Sequence, residues 1–293
     1  MAGRGVKRVF AATALLGAGG LLYAREVETR RVEVRPVELT LPRLAPEFDG
    51  YRIVQFGDLH LDDWSKPERL HRIVGRVNEQ QPDLVAITGD FASYSAKEFD
   101  AGRLVEALRG LRARDGCVAI LGNHDYLTDV KLVRRCMREG GITELVNSVR
   151  TLRRGDAALH IAGIDDVMEG ESRLDLVLRE LPEEGAAILL AHEPDFADVS
   201  SATRRFDLQL SGHSHGGQVA VPFLQRLVLP PFSQRYTRGL YDVRGMIQHT
   251  NRGIGFVHAR LRFLCRPEIT ALTLHPPHAR KGSGPHQRRA CSR

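Results

Sequence analysis

The sequence predicts an α/β fold, and three observations lead to this prediction. Short apolar segments with strand character alternate with amphipathic helical segments through the first half of the chain. Several of these strands are near-continuous apolar runs, which is typical of strands covered on both faces of a sheet. The 293 residues, 42% hydrophobic and 27% charged, are also sufficient for one large globular domain.

The first half of the chain predicts alternating strands and helices. A strand over 32–41 alternates in polarity, and Pro36 places it at a sheet edge or a bulge because proline cannot donate to a ladder. Apolar side chains at helical spacing, such as Leu70, Ile73 and Val77, give helix 66–80 a buried stripe. The remaining elements are strand 51–56, strand 83–88, helix 99–114, strand 117–121 and helix 127–139.

The second half of the chain is richer in strands. Segments 143–153 and 158–164 predict an antiparallel pair that turns at 154–156, and a hairpin turns at Arg244 and Gly245. The other predicted elements are helix 172–181 and strands 186–191, 206–210, 239–243, 246–250 and 268–274. No internal repeat and no linker interrupts the predicted domain, which spans residues 26–275.

The two ends of the chain differ from this domain. Residues 9–24 carry no charge, follow three basic residues and precede a charged segment. This run is longer than most signal-peptide apolar regions and slightly short for a spanning helix, so residues 1–25 are either an export signal or a membrane anchor. We therefore expect a membrane-anchored or exported protein of the cell envelope. Residues 276–293 are basic, lack apolar periodicity and are predicted to be a disordered tail.

Charge and cysteine content exclude some classes of protein. The net charge of +6 comes partly from basic residues near the termini, and only 6% of residues are aromatic, so no specific nucleic-acid partner is expected. The four cysteines form neither a CxxC pair nor a zinc-finger spacing, which argues against a structural zinc site and a disulfide framework. We interpret them as mostly buried free thiols, with Cys291 in the tail.

Polar side chains follow five of the predicted strands at the points where these strands end. They are Asp58 and His60, then Asp90, then Asn123 and His124, then His192, and finally His213 and His215. Each cluster alone is compatible with a turn or a helix cap. Five clusters at successive strand ends instead predict a common site, because ligands of open α/β sheets bind at the carboxyl ends of strands. The other seven histidines are assigned to surface, core or tail.

The motifs GDLH, GD, GNHD, H and GHSH, in this order, resemble the calcineurin-like metallophosphoesterase superfamily. The resemblance covers residues 51–274. It implies a four-layer α/β/β/α sandwich of two packed mixed sheets, with a metal site at the carboxyl ends of strands. GHSHGGQ, YTRGLY, NRGIG and CRPEITALTL, with the apolar N-terminal segment, are similar to a bacterial membrane-associated or exported phosphodiesterase branch, which includes enzymes resembling UDP-2,3-diacylglucosamine hydrolases.

The resemblance also implies a ligand set for two divalent metal ions. Asp58, His60 and His215 would hold the first ion, Asn123, His192 and His213 the second, and Asp90 would bridge both. Nitrogen and oxygen ligands without a thiolate suit Mn, Zn or Fe and do not choose among them. His124 would protonate the leaving oxygen or stabilise the transition state, with Asp125 orienting its ring; alternatively, His124 packs the turn.

The predicted activity is that of a metal-dependent phosphoric ester hydrolase. A metal-bridged hydroxide would attack a phosphodiester, pyrophosphate or phosphomonoester. The two divalent ions bring four positive charges, and two carboxylates and one hydroxide remove three of them. About one positive charge is left to attract the phosphoryl group. A lipid-linked or envelope substrate would fit the N-terminal segment. The alternatives are a non-catalytic metal-binding scaffold and a nuclease. Further candidates for the pocket are Asp62, Asp63, Trp64, Asp165, Asp166, Asn251 and Arg252.

Overall fold

Two six-stranded sheets pack face to face in this protein, with helices on both outer faces. The structure is a computed structural model that describes Thr13 and residues 15–62, 66–93, 99–221 and 228–277. The architecture is the α/β/β/α sandwich that the motif resemblance implied, so the predicted fold class is confirmed.

The first sheet has the strand order β1-β12-β2-β3-β4-β5. Its strands are β1 (Glu33–Thr40), β2 (Tyr51–Phe56), β3 (Leu84–Thr88), β4 (Cys117–Ile120), β5 (Thr143–Glu144) and β12 (Glu268–His275). Strands β2 to β5 run parallel, and β12 runs antiparallel to β2, so the sheet is mixed. Strand β1 lies at the edge, where Pro36 disrupts no ladder on its open side.

The second sheet has the order β10-β11-β9-β8-β7-β6. Its strands are β6 (Ser148–Arg154), β7 (Ala157–Gly163), β8 (Ala186–Leu190), β9 (Leu208–Ser211), β10 (Gly239–Val243) and β11 (Met246–Thr250). Strands β7, β8, β9 and β11 are parallel, whereas the two hairpins β6–β7 and β10–β11 are antiparallel. Both hairpins confirm the pairings predicted from the sequence.

Side-chain alternation along the strands builds the layers. In β2, Ile53 faces the second sheet, whereas Val54 faces the helices α1 (Pro67–Asn78), α2 (Ala101–Arg109) and α3 (Asn123–Glu139). In β8, Ile188 belongs to the layer between the sheets and Leu189 to the outer layer with α4 (Leu174–Glu180) and α5 (Ala197–Ala202). Because these strands are buried on both faces, their sequences are continuous apolar runs.

Two sequence predictions of secondary structure are wrong in detail. Helix α3 begins at Asn123 rather than at residue 127, so two of the predicted site residues lie in its first turn. The single strand predicted over 143–153 is two strands in two sheets, because the chain leaves β5 and enters β6 through Asn147, whose φ is 50°. Apolar residues stand on both sides of this break, at Leu145, Val146 and Val149, so the sequence pattern does not reveal where one strand ends and the next begins.

The N-terminal segment is partly described. Residues 15–22 are helical, and among the described residues no helix combines the length and apolarity that crossing a membrane requires. Ala24 is buried against the domain. The signal or anchor at 1–25 and the domain limits stay predictions, and most of the predicted tail, residues 278–293, lies outside the described residues.

Candidate metal centre

The predicted site residues meet where the carboxyl ends of both sheets face each other. Loops after β2, β3 and β4 carry Asp58, His60, Asp90 and Asn123, and loops after β8 and β9 carry His192, His213 and His215. All seven side chains are buried. The strand directions explain the convergence, because parallel strands deliver their following loops to one edge.

Three groups of ionisable side chains are close enough to share a cation. They are Asp58, His60 and His215; His60, Asp90 and His124; and Asp90, His192 and His213, with the donor atoms of each group within 4.8 Å of one another. Asp90 Oδ2 lies 3.4 Å from His60 Nε2 and 3.2 Å from His192 Nε2. Asp90 therefore stands between an imidazole from each sheet, which is the place predicted for a bridging carboxylate.

The backbone at the ligands adopts an unusual conformation. Asp58, His60, Asp90, His213 and His215 all have positive φ values, between 43° and 66°. The left-handed region costs an L-residue roughly 1–2 kcal/mol. Such strain concentrates at functional sites, where the surrounding structure holds residues in place. Here, each ligand turns sharply out of its strand end and toward the shared centre.

Two glycines beside the carboxylates permit this crowding. A Cβ at Gly212 would lie 2.4 Å from Asp58 Oδ2, and a Cβ at Gly122 would lie 2.3 Å from Asp90 Oδ1. Both distances are far below contact distance. Any side chain at either position would push a carboxylate out of the centre.

Hydrogen bonds select the nitrogen that each second-sheet histidine presents. His192 Nδ1 donates to the Thr88 carbonyl at 2.6 Å, which directs its Nε2 at Asp90. Against the effect of burial, the Asp90 charge raises the pKa of His192 well above its ordinary value, and a metal bound at Nε2 would replace the proton there. His213 Nε2 donates to the Pro231 carbonyl at 2.9 Å, which leaves Nδ1 for the centre. A carbonyl that fixes the tautomer and orientation of an imidazole is a recurring feature of metal ligands in proteins.

The carboxylates are held by backbone amides. Asp58 Oδ1 accepts from the His213 amide at 2.8 Å, and Asp90 Oδ1 accepts from the His124 amide at 2.9 Å. Asp58 Oδ2 and Asn123 Oδ1, although buried, accept no hydrogen bond from any described residue. Buried oxygens without a donor are costly, and a divalent cation would satisfy both of them. The residues therefore fit a metal centre.

The electrostatics agree with a cation in this place. Burial lowers the pKa of His60 and of His213 to about 3, and it lowers that of His215 well below its ordinary value, so these rings are neutral and have a lone pair to offer. Burial and the neighbouring Asp90 raise the pKa of Asp58 to about 7. A positive charge at the centre would favour the ionised form of this carboxyl.

His124 lies within the cluster, and Asp125 has another task than the one predicted. The His124 ring packs edge-on against His60 at a centroid distance of 4.6 Å. Asp125 accepts from the backbone amides of Asp90, Ala92 and Gly122, each at 3.0 Å. Its carboxylate therefore joins the loops after β3 and β4, which corrects the prediction that it orients the His124 ring.

A cleft of about 580 Å³ opens onto the centre. Asp90, Asn123, His124, His213 and His215 line its floor. Its walls are largely apolar, from the side chains of Met168, Val219, Val228, Leu229, Val257 and Leu261. Sequence reasoning missed these wall residues, since scattered apolar side chains in loops carry no periodic signal.

The secondary pocket candidates have structural roles or fall outside the described residues. Asp165 and Asp166 accept from loop amides, Asn251 bonds to Thr270, and Arg252 pairs with Glu33 and Glu268. The cleft lining includes neither these four residues nor Asp62. Asp63 and Trp64 lie outside the described residues. His258 is exposed at the surface, where it also lines the cleft. Cys117, Cys136 and Cys265 are buried free thiols, as predicted.

Comparisons with known proteins agree with this site. Residues 51–217 match the model of a family described as calcineurin-like phosphoesterase. The uncharacterized metallophosphoesterase YkuE of Bacillus subtilis is 37% identical over 275 residues, which cover 92% of this chain and 95% of that protein. The phosphodiesterase YaeI of Escherichia coli is 28% identical over 76% of this chain and 82% of its own length. A transmembrane protein with a metallophosphoesterase domain from Danio rerio is 31% identical, and the match spans 61% of its length.

Proposed function

The chain belongs to the calcineurin-like phosphoesterase family, and from that premise we propose that it hydrolyses phosphate esters with two divalent metal ions. Members of this family are hydrolases of phosphate esters that use divalent metals, and this chain contains buried clusters of candidate ligands. The number of ions, their identity and the substrate are the content of the proposal.

The observation that carries the proposal is the position of Asp90. Its carboxylate is shared by two groups of side chains, one with His60 and His124 and one with His192 and His213. In the proposed site, Asp58, His60 and His215 hold one ion, Asn123, His192 and His213 hold the other, and Asp90 contacts both. A scaffold that had lost its chemistry would not need to keep seven converging ligands.

Two ions in this site would activate water and neutralise charge on the phosphoryl group. The folded chain positions the side chains around these ions. Backbone amides hold the two carboxylates, the Thr88 and Pro231 carbonyls orient two imidazoles, and apolar side chains form the walls of the cleft. His124, on the floor of the cleft, is placed to donate a proton to a leaving oxygen.

The apolar walls indicate a substrate with an apolar part beside its phosphate. We propose a phosphodiester, pyrophosphate or phosphomonoester that carries a lipid or another long apolar group. The uncharged segment at 9–24 supports a place at the cell envelope, either anchored in a membrane or exported. Lipid-linked phosphate esters occur at membranes, so the two proposals agree with each other.

Turnover of bis(p-nitrophenyl) phosphate by the purified chain, loaded in turn with manganese, zinc and iron, tests the hydrolase. We expect metal-dependent release of nitrophenol; a correctly loaded protein without turnover on any phosphate ester would favour the scaffold.

A Leu261→Glu variant tests the apolar wall. It should raise KM for a long-chain alkyl phosphodiester by about tenfold or more, given about 1–3 kcal/mol for a buried apolar contact, and leave KM for p-nitrophenyl phosphate unchanged. The nearby exposed Leu264, outside the cleft lining, provides the matched control Leu264→Glu.

A further inference from the structure

A second cavity, of about 900 Å³, lies outside the metal centre, between α1 and the segment that enters β1. Six of its lining residues are basic and two, Glu68 and Glu79, are acidic. The basic residues are Arg30, Lys66, Arg69, Arg72, Arg76 and Arg260. This basic groove therefore holds an excess of four positive charges, six less two.

The charge of the groove is available to an anion. Lys66, Arg72 and Arg76 are exposed and form no ion pair with another described residue. Burial and the positive charge of nearby arginines, Arg262 and Arg72 among them, lower the pKa of Arg69 to about 9. Six basic side chains around one cavity give it a positive potential, and such a potential attracts anions.

An apolar helix directly precedes the groove in the chain. Within residues 15–22, Leu15, Leu16, Leu21 and Leu22 are each between 59% and 78% exposed. This exposure is large for four leucines in so short a segment, and exposed apolar patches mark contact surfaces.

The segment between helix and groove is fixed to the domain. Ala24 is buried and its carbonyl accepts from the Arg262 amide, while the buried Glu28 accepts from the Cys265 amide at 2.6 Å. Arg30 and Val32, a few residues later, line the groove. The apolar helix is therefore attached beside the basic groove.

We propose that the basic groove and the apolar helix together dock the protein on a bilayer that contains anionic phospholipids. The phosphates of the headgroups would lie in the groove, and the four leucines would enter the acyl region. Each basic residue near an anionic surface favours binding by about fivefold, and apolar contact adds to this electrostatic attraction in interfacial helices.

The groove also shares a loop with the metal centre. Arg260 lines the groove, whereas its neighbours Val257, Ala259 and Leu261 line the cleft. Docking through the groove would therefore bring the apolar wall of the cleft close to the membrane surface. This consequence for substrate entry rests on the proposed function, but the contact with lipid does not.

Vesicle binding by the full-length protein tests the contact. Arg72→Glu reverses one exposed charge in the groove, and Arg135→Glu makes the same change on α3, where the side chain is also exposed; neither arginine has a described hydrogen bond or ion pair. The measured quantity is the ratio of partitioning onto vesicles of phosphatidylglycerol with phosphatidylcholine to that onto pure phosphatidylcholine. This ratio cancels any insertion of the N-terminal segment that does not depend on lipid charge.

We expect Arg72→Glu to lower this ratio roughly thirtyfold, from two charges at about fivefold each, and Arg135→Glu to change it little. High salt should abolish the preference. Both variants should keep the wild-type melting temperature and wild-type turnover of a soluble nitrophenyl ester, so a failure of the lipid contact is distinct from a failure of the hydrolase. A ratio of about one for the wild type would overturn the proposal, and so would an equal fall of the ratio in both variants.

A second measurement locates the contact. With Cys291→Ser, a polarity-sensitive fluorophore on Glu79→Cys in the groove should shift to the blue and be quenched by spin-labelled lipid in anionic vesicles. The same fluorophore on Glu183→Cys, exposed in the loop before β8, should not respond. Quenching at both positions or at neither contradicts the proposed docking face. A melting temperature raised by inorganic phosphate in the wild type and not in Arg72→Glu, without any preference for anionic vesicles, would assign the groove to a soluble anion instead.

Discussion

The two sheets contribute different chemistry to one centre. Loops of the first sheet supply both carboxylates, Asp58 and Asp90, together with His60, Asn123 and His124. Loops of the second sheet supply three imidazoles, His192, His213 and His215. The first sheet therefore brings the negative charge that would attract a cation, and the second brings imidazoles alone. Neither sheet holds the proposed pair of ions alone, so the packing between the sheets makes the site.

The largest expected effect comes from the first-sheet carboxylate that contacts both ligand groups. Asp90→Asn keeps the shape but removes the charge shared with His60 and His192. We expect bound metal, measured by elemental analysis, to fall toward zero and hydrolysis of every substrate to be lost. Asp156→Asn, in an exposed turn, is the matched control. Retention of full metal content by Asp90→Asn would show that Asp90 is not the bridge.

A second-sheet ligand should have a narrower effect. His213→Ala removes one imidazole from the group with Asp90 and His192 and leaves the group of Asp58, His60 and His215 complete. We expect about one equivalent of metal to be lost and one to remain, with most of the activity gone. Loss of both equivalents would mean that the two ligand groups do not bind independently, and the contrast between the sheets would fail.

The variant His124→Ala distinguishes between two roles of this histidine, metal ligand and proton donor. If His124 protonates the leaving oxygen, both metal equivalents should remain. An alkyl phosphodiester should then react about 10²–10⁴-fold more slowly, which is the usual range for general acid catalysis. A nitrophenyl ester should be affected far less, because its leaving group departs as a stable anion. Loss of metal, or equal slowing of both esters, would place His124 among the ligands or the structural residues.

Removing the metal should lower stability as well as activity. Asp58 and Asp90 are both buried, and a cation between them would offset the mutual repulsion of the two carboxylates more strongly than the surrounding imidazoles and backbone amides do. With free metal at about a hundred times its Kd, binding stabilises the folded protein by roughly 2.7 kcal/mol. This corresponds to a rise of about 5–10 °C in Tm. Thermal melts with and without chelator measure this shift. Asp90→Asn should show almost no shift, and an equal shift in that variant would point to a metal elsewhere.

The smallest effects should come from the N-terminal segment, which supports the second-sheet side of the centre from a distance. Deleting residues 1–22 should leave Tm and turnover of a soluble ester unchanged, because that deletion ends before the buried Ala24. Deleting residues 1–31 also removes Glu28, which holds Cys265, whose thiol in turn contacts the His215 carbonyl. We expect this longer deletion to lower Tm by several degrees; equal melts for both deletions would show that the segment is dispensable.

The fold class and the side chains that converge at the centre could be predicted from the amino-acid sequence alone. Alternation of strands and helices is a local property, and so are the motifs at strand ends, because each motif follows its own strand by one to five residues. Asp58, Asp90, Asn123 and His213 could therefore be named without knowing any contact between them. The two hairpins and the edge position of Pro36 were predictable for the same reason.

The orientation of these side chains depends on contacts that become visible in the folded chain. The Thr88 carbonyl that orients His192 lies 104 residues away in the chain, and any residue type could supply that carbonyl. The amide of His213 that holds Asp58 is 155 residues away. The transfer of the chain between sheets at Asn147, the apolar wall around Leu261 and the basic groove likewise depend on which elements pack together. Backbone carbonyls and scattered side chains carry no sequence pattern, so long-range packing alone could place them.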